Sequence, residues 1–427
     1  MSVYLGLGSN LGDRRDHLRR ALQQLREQGV VLRRIAPVVE SPALLPQGAP
    51  SEWNRPYLNL AVECELAASP EQLRGWIQRI ENQMGRDNRS RWSPRPIDID
   101  ILLWGQERIA TPELTIPHPE LTRRSFVLTP LLALEPRLTV PGWGEHTLLD
   151  HSRALNHSIP LWMGVVNITP DSFSDGGQFT SWERIAPHVH KAVEAGAQLI
   201  DIGAESTRPG ATPLNAAQEW ARLEPVLVRL LERYRHDPLR PWLSVDTYHP
   251  EVARKALDLG VDVINDVSGL TSPAMCELAQ SSAAQWVAMH HLGIPASKAH
   301  TLPADCDPVV TVEHWLLQRL EDWDKAGLNL GRIIFDPGIG FGKDALQSLQ
   351  LLRHIGRLRQ HGLRVLVGHS RKSFMQHFAA ADNAARDLTT VGASLNLCAQ
   401  GVDILRVHEI PLHIDAYRGW AHIVAAD

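Results

Sequence analysis

The chain has 427 residues, 44% hydrophobic and 21% charged, with a formal net charge of -5 at pH 7. That length exceeds one ordinary domain, and the composition is that of a globular protein with a full core. With no strongly basic segment, a nucleic-acid partner has no global electrostatic support, although a local arginine cluster still suits a small anion.

Cys64, Cys276, Cys306 and Cys398 are scattered with no CxxC pair. This argues against a disulfide framework or a zinc site and for free thiols in a reducing cytosol. Residues 1–6 lack the basic region and apolar core of a signal peptide, and no apolar run approaches the ~20 residues that span a bilayer. The expected location is cytoplasmic, with no membrane partner.

Residues 2–8 form a short β-like run, and 11–28 read as a helix with Leu18, Leu22 and Leu25 on one stripe. Residues 30–40 and 57–66 read as strands. Ser69 is a candidate N-cap with Pro70 at the first helical position, opening a helix that runs to Met84 and stops at Gly85. Residues 97–104 make a further strand. The order β-α-β-β-α-β matches a ferredoxin-like unit. Residues 113–157 add mixed elements with no clear pattern.

From residue 161 the rhythm changes. Apolar runs at 161–166, 198–203, 242–245, 262–264, 285–289, 332–335, 364–367 and 402–407 alternate with helical stretches such as 216–235, 250–259, 312–326, 346–361 and 388–400. Eight such repeats over roughly 265 residues suit a closed (β/α)8 TIM barrel, with a doubly wound open sheet as the competing fold. No Pro- or Gly-rich linker separates the halves. The expected domains are 1–157 and 159–427.

The densest chemical signal in the first half is the run from Arg91 through Trp92, Ser93, Pro94, Arg95, Pro96 and Ile97 to Asp98, Ile99, Asp100 and Ile101. In a strand, alternate side chains share a face, so the isoleucines point one way and Asp98 and Asp100 the other, roughly 7 Å apart along the strand. Magnesium favours such oxygen ligands together with substrate phosphates. Arginines 86, 89, 91 and 95 can complement phosphate oxygens. The competing reading is an exposed edge carrying solvated Asp and Arg. The segment Gly6-Leu7-Gly8-Ser9-Asn10 is neither a P-loop nor a full GxGxxG, and reads equally well as a plain strand-to-helix turn.

Gly8-Ser9-Asn10-Leu11, Tyr57-Leu58-Asn59, Ile80-Glu81, Gly85-Arg86, the Arg-Trp-x-Pro-Arg-x-Ile-Asp-Ile-Asp run and Pro117-His118 together resemble 6-hydroxymethyl-7,8-dihydropterin pyrophosphokinases over about residues 1–157. The resemblance implies transfer of pyrophosphate from ATP to the pterin hydroxymethyl group, with Mg2+ on Asp98 and Asp100. It implies that Asn59 hydrogen-bonds the pterin between Tyr57 and Phe126. It also implies that Arg86, Arg91, Trp92 and Arg95 form a triphosphate-binding loop, with Arg95 counted as catalytic beside the aspartates, and that His118 contacts ATP. Ser93 stands where that family usually has Gly or Ala, which bears on loop closure.

In a (β/α)8 barrel the active site lies at the strand C-terminal ends. Each expected strand places a polar group there: Asn167, Asp201, Asp246, Asn265-Asp266, His290-His291, Asp336, Ser370-Arg371-Lys372 and Arg406-Val407-His408. His291 alone is best read as a satisfied structural histidine, and Asp201 alone as an ordinary strand-end residue. The cluster carries the inference. Asp and Asn suit the amino-pyrimidine edge of a pterin. Ser370, Lys372, Arg406 and His408 suit a diphosphate. Thr207-Arg208-Pro209-Gly210 is a stiff polar loop that could close over both.

The runs 167–177 and 201–210, with Ser244-Val245-Asp246-Thr247, Ile264-Asn265-Asp266, Asp336 through Lys343, Ser370-Arg371-Lys372-Ser373 and Arg406-Val407-His408, resemble dihydropteroate synthases over about residues 159–427. The resemblance implies condensation of the pterin diphosphate with p-aminobenzoate. It implies that Asp246, Asn265, Asp336 and Lys372 hold the pterin, with Lys372 catalytic as well. Thr207, Arg208, Arg406, His408 and Asn167 would serve the diphosphate and its Mg2+. Phe173 and Ser370, with Lys372, would border the aminobenzoate, and Asp175 would stabilise a pterin cation. The same family suggests a homodimer through the barrel. With no aldolase-like region before residue 1, two activities rather than three are expected. The alternatives are a pterin-binding methyltransferase barrel and a non-catalytic pterin-binding protein.

Overall fold

The computed structural model describes residues 1–86, 92–155, 157–168, 181–205, 212–297, 299–377 and 382–424. Two units are present: Met1–Ile159 with His236–Arg240 and Tyr417–Asp427, and Pro160–Arg235 with Pro241–Ala416.

The first unit begins with β1 (Val3–Ser9) and α1 (Arg14–Glu27). Asp13 caps α1, and its side chain accepts from Asp16 N at 3.0 Å. Next come β2 (Val31–Ile35), β3 (Val39–Ser41), β4 (Tyr57–Glu65), α2 (Pro70–Gln83) and β5 (Asp98–Trp104). The sheet runs β2-β4-β1-β5 and is antiparallel throughout, with β3 also paired to β4. That is the ferredoxin-like order. The single strand expected over 30–40 is in fact two. Pro37 lies in the break, where it has no N–H to give the ladder.

Leu18, Leu22 and Leu25 of α1 and Leu73, Ile77 and Ile80 of α2 are buried against one sheet face, together with Val3, Leu5, Leu7, Ile99 and Ile101. The alternation expected for β5 therefore holds, with the aspartates on the face away from this core. The stretch without a clear pattern contains a small pair, β6 (Ile109–Ala110) and β7 (Thr115–Ile116), then α3 (Ser125–Leu134) and α4 (Leu148–Arg153).

The second unit is a closed, all-parallel, eight-stranded barrel: β8 (Leu161–Asn167), β9 (Leu199–Gly203), β10 (Trp242–Asp246), β11 (Val263–Asp266), β12 (Gln285–Met289), β13 (Ile333–Asp336), β14 (Arg364–Val367) and β15 (Ile404–Val407). Closure by β15 pairing with β8 excludes the open sheet. Helices α5 (Ser181–Ala195), α6 (Ala216–Tyr234), α7 (Pro250–Leu259), α8 (Pro273–Ser281), α9 (Pro308–Lys325), α10 (Ala345–Arg353), α11 (Ile355–Leu358), α12 (Asn383–Ala399) and the start of α13 (Ile410–Val424), as far as Ala416, complete it. The single helix expected over 346–361 breaks at His354 into α10, α11 and a 3-10 turn; beyond the break, Gly356 N donates to Gln400 Oε1 at 3.2 Å. Among the described residues, no helix is long and apolar enough to cross a membrane.

Ser69 caps α2 as expected. Its hydroxyl accepts from Gln72 N at 3.3 Å, and Gln72 Oε1 accepts from Ser69 N at 2.9 Å. Ser69→Ala should lower first-unit stability by about 1 kcal/mol, read as an earlier urea midpoint with an unchanged slope. An unchanged midpoint would mean that the capping box does not stabilise α2.

Candidate functional sites

A cavity of about 350 Å³ opens on the sheet face opposite the first unit's helical core. Tyr57, Asn59, Arg86, Trp92, Arg95, Asp98, Asp100, His118 and Phe126 all line it. Of the first-site residues expected from sequence, Arg89 and Arg91 lie outside the described residues. The floor is β1 and β4. There a Cβ on Gly8 would sit 3.2 Å from Asn59 Oδ1, so the glycine lets the asparagine lie flat against the sheet. Asn59 Nδ2 donates to Ser41 Oγ at 3.0 Å, and its carboxamide stays in the cavity wall.

Three acids meet at one end. Asp100 is pushed up to about 7, first by burial and then by the charges of Asp98 and Glu81. Burial likewise raises Glu81, which accepts from Ile99 N at 2.9 Å and is paired with Arg86. Arg86 Nη1 also lies 2.7 Å from Asp98 Oδ1, and Arg95 Nη1 lies 3.4 Å from Asp98 Oδ2. Arg95 is positioned by its backbone: its N–H donates to Asn10 Oδ1 at 2.8 Å, and its carbonyl accepts from Asn10 N at 3.2 Å. His118 Nδ1 accepts from Glu120 N at 3.2 Å, which places its proton on Nε2; burial and Arg124 hold its pKa low. Paired carboxylates whose burial opposes full ionisation, with oxygen donors only, fit a hard divalent cation such as Mg2+.

At the barrel rim the hub is Asp201, which is fully buried. It accepts from Ser244 Oγ (2.5 Å), Asn265 Nδ2 (3.1 Å) and Arg406 Nε (2.6 Å). Arg406 Nη2 donates to Asp246 at 2.8 Å. Asp246 is raised to about 7 by burial, against the pull of Arg406. Asp336 Oδ1 accepts from Gly338 N at 2.7 Å. Gly338 has φ +66, and a Cβ there would lie 1.8 Å from the His290 carbonyl oxygen, so this turn requires glycine.

Beneath the turn, Lys343 Nζ donates to His290 O (3.0 Å) and Gly338 O (3.0 Å) and lies 2.6 Å from His290 Nδ1, with burial holding its pKa well below the usual lysine value. Lys372 Nζ lies 4.4 Å from the centre of the Phe341 ring. Ser370 Oγ is 2.9 Å from His408 Nδ1.

Asp246, Asn265, Asp336, Ser370, Lys372, Arg406 and His408 thus gather at or just beyond the C-terminal ends of β10, β11, β13, β14 and β15. Asn167, at the end of β8, pairs in register with Gly203. Phe173, Asp175, Thr207 and Arg208 lie outside the described residues. Sequence reasoning gave no role to Glu81, Asn10 or Lys343, and it counted Asp201 in the strand-end cluster without a role of its own. The available signal was an acid on the apolar stripe of α2, and an Asp between two isoleucines in a buried strand.

His369 is fully buried, with Nε2 2.9 Å from Ser394 Oγ, and burial pushes it down to about 4. An unfolded histidine titrates near about 6.5. Its neutral form therefore contributes stability above that pH, which is lost as pH falls toward about 4. Urea midpoints measured across this window should fall less steeply for His369→Gln than for the unsubstituted chain. Parallel curves would contradict the assignment.

Two family models match the chain: 7,8-dihydro-6-hydroxymethylpterin-pyrophosphokinase over residues 4–136 and pterin binding enzyme over residues 163–408. The folate synthesis bifunctional protein of Chlamydia muridarum is 38% identical over 429 residues, covering 96% of this chain and 95% of that one. The mitochondrial folate synthesis bifunctional protein of Arabidopsis thaliana is 33% identical, covering 97% of this chain and 81% of that one. Among solved structures, dihydropteroate synthase from Xanthomonas albilineans with 4-aminobenzoic acid aligns with a TM-score of 0.58 at 38% identity, over 63% of this chain and 94% of that one. The same enzyme in complex with 7,8-dihydropteroate gives 0.54 at 35%, over 63% and 95%. The chain belongs to the family of bifunctional folate synthesis proteins, which joins a hydroxymethyldihydropterin pyrophosphokinase to a pterin-binding synthase barrel.

Proposed function

We propose that residues 1–157 transfer pyrophosphate from ATP to 6-hydroxymethyl-7,8-dihydropterin, and that residues 159–427 condense the product with p-aminobenzoate to give 7,8-dihydropteroate and diphosphate. The observation that carries the first assignment is the cavity lined by Asp98, Asp100, Arg86, Arg95, Asn59, Tyr57 and Phe126 together. The second rests on the ring of Asp246, Asn265, Asp336, Ser370, Lys372, Arg406 and His408.

In the first reaction the pterin hydroxyl oxygen bonds to the β-phosphorus of ATP. The α–β bridge breaks, AMP leaves, and the hydroxyl proton is lost. A primary alcohol is a weak nucleophile and the triphosphate is heavily charged, so the protein's contribution is alignment and charge neutralisation. Asp98 and Asp100 would hold Mg2+, which when bound neutralises phosphate charge. Asn59 orients the pterin between Tyr57 and Phe126. Arg86, Arg95 and Arg91 receive the triphosphate, with Trp92 and His118 lining the nucleotide side.

In the second reaction the pterin C–O bond breaks, diphosphate departs, a C–N bond forms to the aminobenzoate nitrogen, and that nitrogen loses a proton. Asp246, Asn265, Asp336 and Lys372 hold the pterin edge. Arg406 and His408, with Thr207 and Arg208 by the family resemblance, would stabilise the departing diphosphate, and Asn167 would hold its Mg2+, which supplies charge neutralisation when bound. By the family resemblance, Phe173 would border the aminobenzoate with Ser370, and Asp175 would stabilise charge developing on the pterin. The Ser370–His408 contact and the diphosphate-suited cations favour this reading over a methyltransferase barrel. A dimer through the barrel, implied by the family resemblance, would appear as doubled mass in light scattering.

Incubation with hydroxymethyldihydropterin, ATP, Mg2+ and p-aminobenzoate should yield AMP and dihydropteroate. Absence of both in folded protein would overturn the proposal. Asp98→Ala or Asp100→Ala should abolish AMP release while condensation of supplied pterin diphosphate continues; equal loss of both would argue against separate sites. Lys372→Ala should remove at least one charge-assisted hydrogen bond, roughly 1.5–3 kcal/mol, or about tenfold or more in condensation efficiency. An unchanged condensation rate would place Lys372 outside the site.

A further inference from the structure

Beside the barrel rim, Glu205, Glu219 and His249 each bring one potential ligand atom within 4.8 Å of the other two. Glu205 follows β9, Glu219 lies in the first turn of α6, and His249 caps α7. Glu219 is 1% exposed, and the Glu205 side chain is 6% exposed. Two carboxylates this close in the interior repel one another and are desolvated, which a structure relieves either by holding a proton between them or by placing a cation there.

The surrounding groups hold the carboxylates in place. Tyr248 OH donates to Glu205 Oε1 at 2.7 Å, and Thr247 Oγ1 donates to Glu219 Oε2 at 2.9 Å. Hydroxyl donors behind ligating carboxylates are the usual outer shell of a metal site. The remaining oxygen of Glu205, Oε2, is buried with no hydrogen-bond partner and points toward His249 Nε2 at 3.7 Å, too long for a hydrogen bond. A buried acceptor left unsatisfied in this way calls for an explanation.

We propose that Glu205, Glu219 and His249 form a binding site for a divalent transition-metal cation of the zinc type, separate from the Asp98–Asp100 pair. Two carboxylate oxygens and one imidazole nitrogen make a three-ligand set that Zn2+ accepts, with a further position for water. His249 Nε2 also lies 3.1 Å from the Leu214 carbonyl oxygen. Coordination through Nε2 exchanges that contact for a metal bond. The ion ties together the end of β9, the first turn of α6 and the segment that leaves β10 after Asp246.

The test uses the full chain, stripped with chelator and dialysed against Zn2+, with bound metal measured by mass spectrometry. The unsubstituted chain should hold about one more Zn2+ per molecule than Glu219→Gln or His249→Gln. An Asp98→Asn, Asp100→Asn double variant should retain that ion. Co2+ in place of Zn2+ should give the strong visible bands of a four-coordinate site, lost in Glu219→Gln and His249→Gln. His249 is partly exposed, so its variant decides the matter if Glu219→Gln fails to fold. Equal Zn2+ uptake and identical Co2+ spectra in a folded variant would overturn the site and leave these groups as a proton-sharing cluster.

Discussion

Arg406 sits between the fully buried Asp201 and the half-buried Asp246, and the chemistry of the barrel rim is arranged around that contact. A carboxylate moved out of water takes up a proton unless donors meet it. Asp201 keeps its place inside β9 because Arg406, Ser244 and Asn265 converge on it from three other strands. Asp246 receives one arm of the same guanidinium and is still raised to about 7. Parallel strands bring all their C-terminal ends to one rim, so each acid placed there requires a donor from a neighbouring strand. Asp336 follows the same rule through Gly338 N, and the Gly338 turn in turn needs Lys343 beneath it. A polar, donor-rich mouth is the consequence of holding several acids where water is scarce.

The first unit meets the same constraint on a sheet face. Strand β5 has period two, which sends Ile99 and Ile101 into the helical core and Asp98 and Asp100 into the cavity. A slip of one residue would bury the acids and expose the isoleucines, so the register that folds the sheet also builds the site. Arg86 and Arg95 then lie among Glu81, Asp98 and Asp100, offsetting charge that the sheet has forced together.

Local periodicity explains what could be read in advance. The barrel strands and the β5 alternation follow from patterns a few residues long, and both architectures appeared as expected. Pro37 was overlooked because apolar residues continue on either side of it, while a missing N–H leaves no trace in hydrophobicity. The break at His354 was hidden for a similar reason, since the helical stripe runs across it. Among site residues, the shared face of Asp98 and Asp100 was legible from spacing, while the use of that face was not. Asp201 was not legible, because its meaning depends on Arg406, 205 residues away. Glu81 was quoted in a motif without a role, since only the fold shows it accepting from Ile99 N.

The Ser370-Arg371-Lys372 turn shows why composition overstates what a motif binds. All three side chains can meet a phosphate; the diphosphate set read from the sequence took Ser370 and Lys372, with no physical reason to leave Arg371 out. In the structure Arg371 has φ +57, a left-handed conformation that a residue with a Cβ rarely adopts. Its guanidinium makes two hydrogen bonds to Asp387, both at 2.8 Å, and one to Glu409 at 2.9 Å. Those bonds hold the strained residue and commit its charge to the scaffold. The neighbours on either side are then directed elsewhere, Ser370 to His408 and Lys372 over Phe341. The central cation fixes the turn and the flanking residues face the site. That division of labour comes from backbone geometry and two distant carboxylates, which is why a list of phosphate-friendly residues could not reveal it.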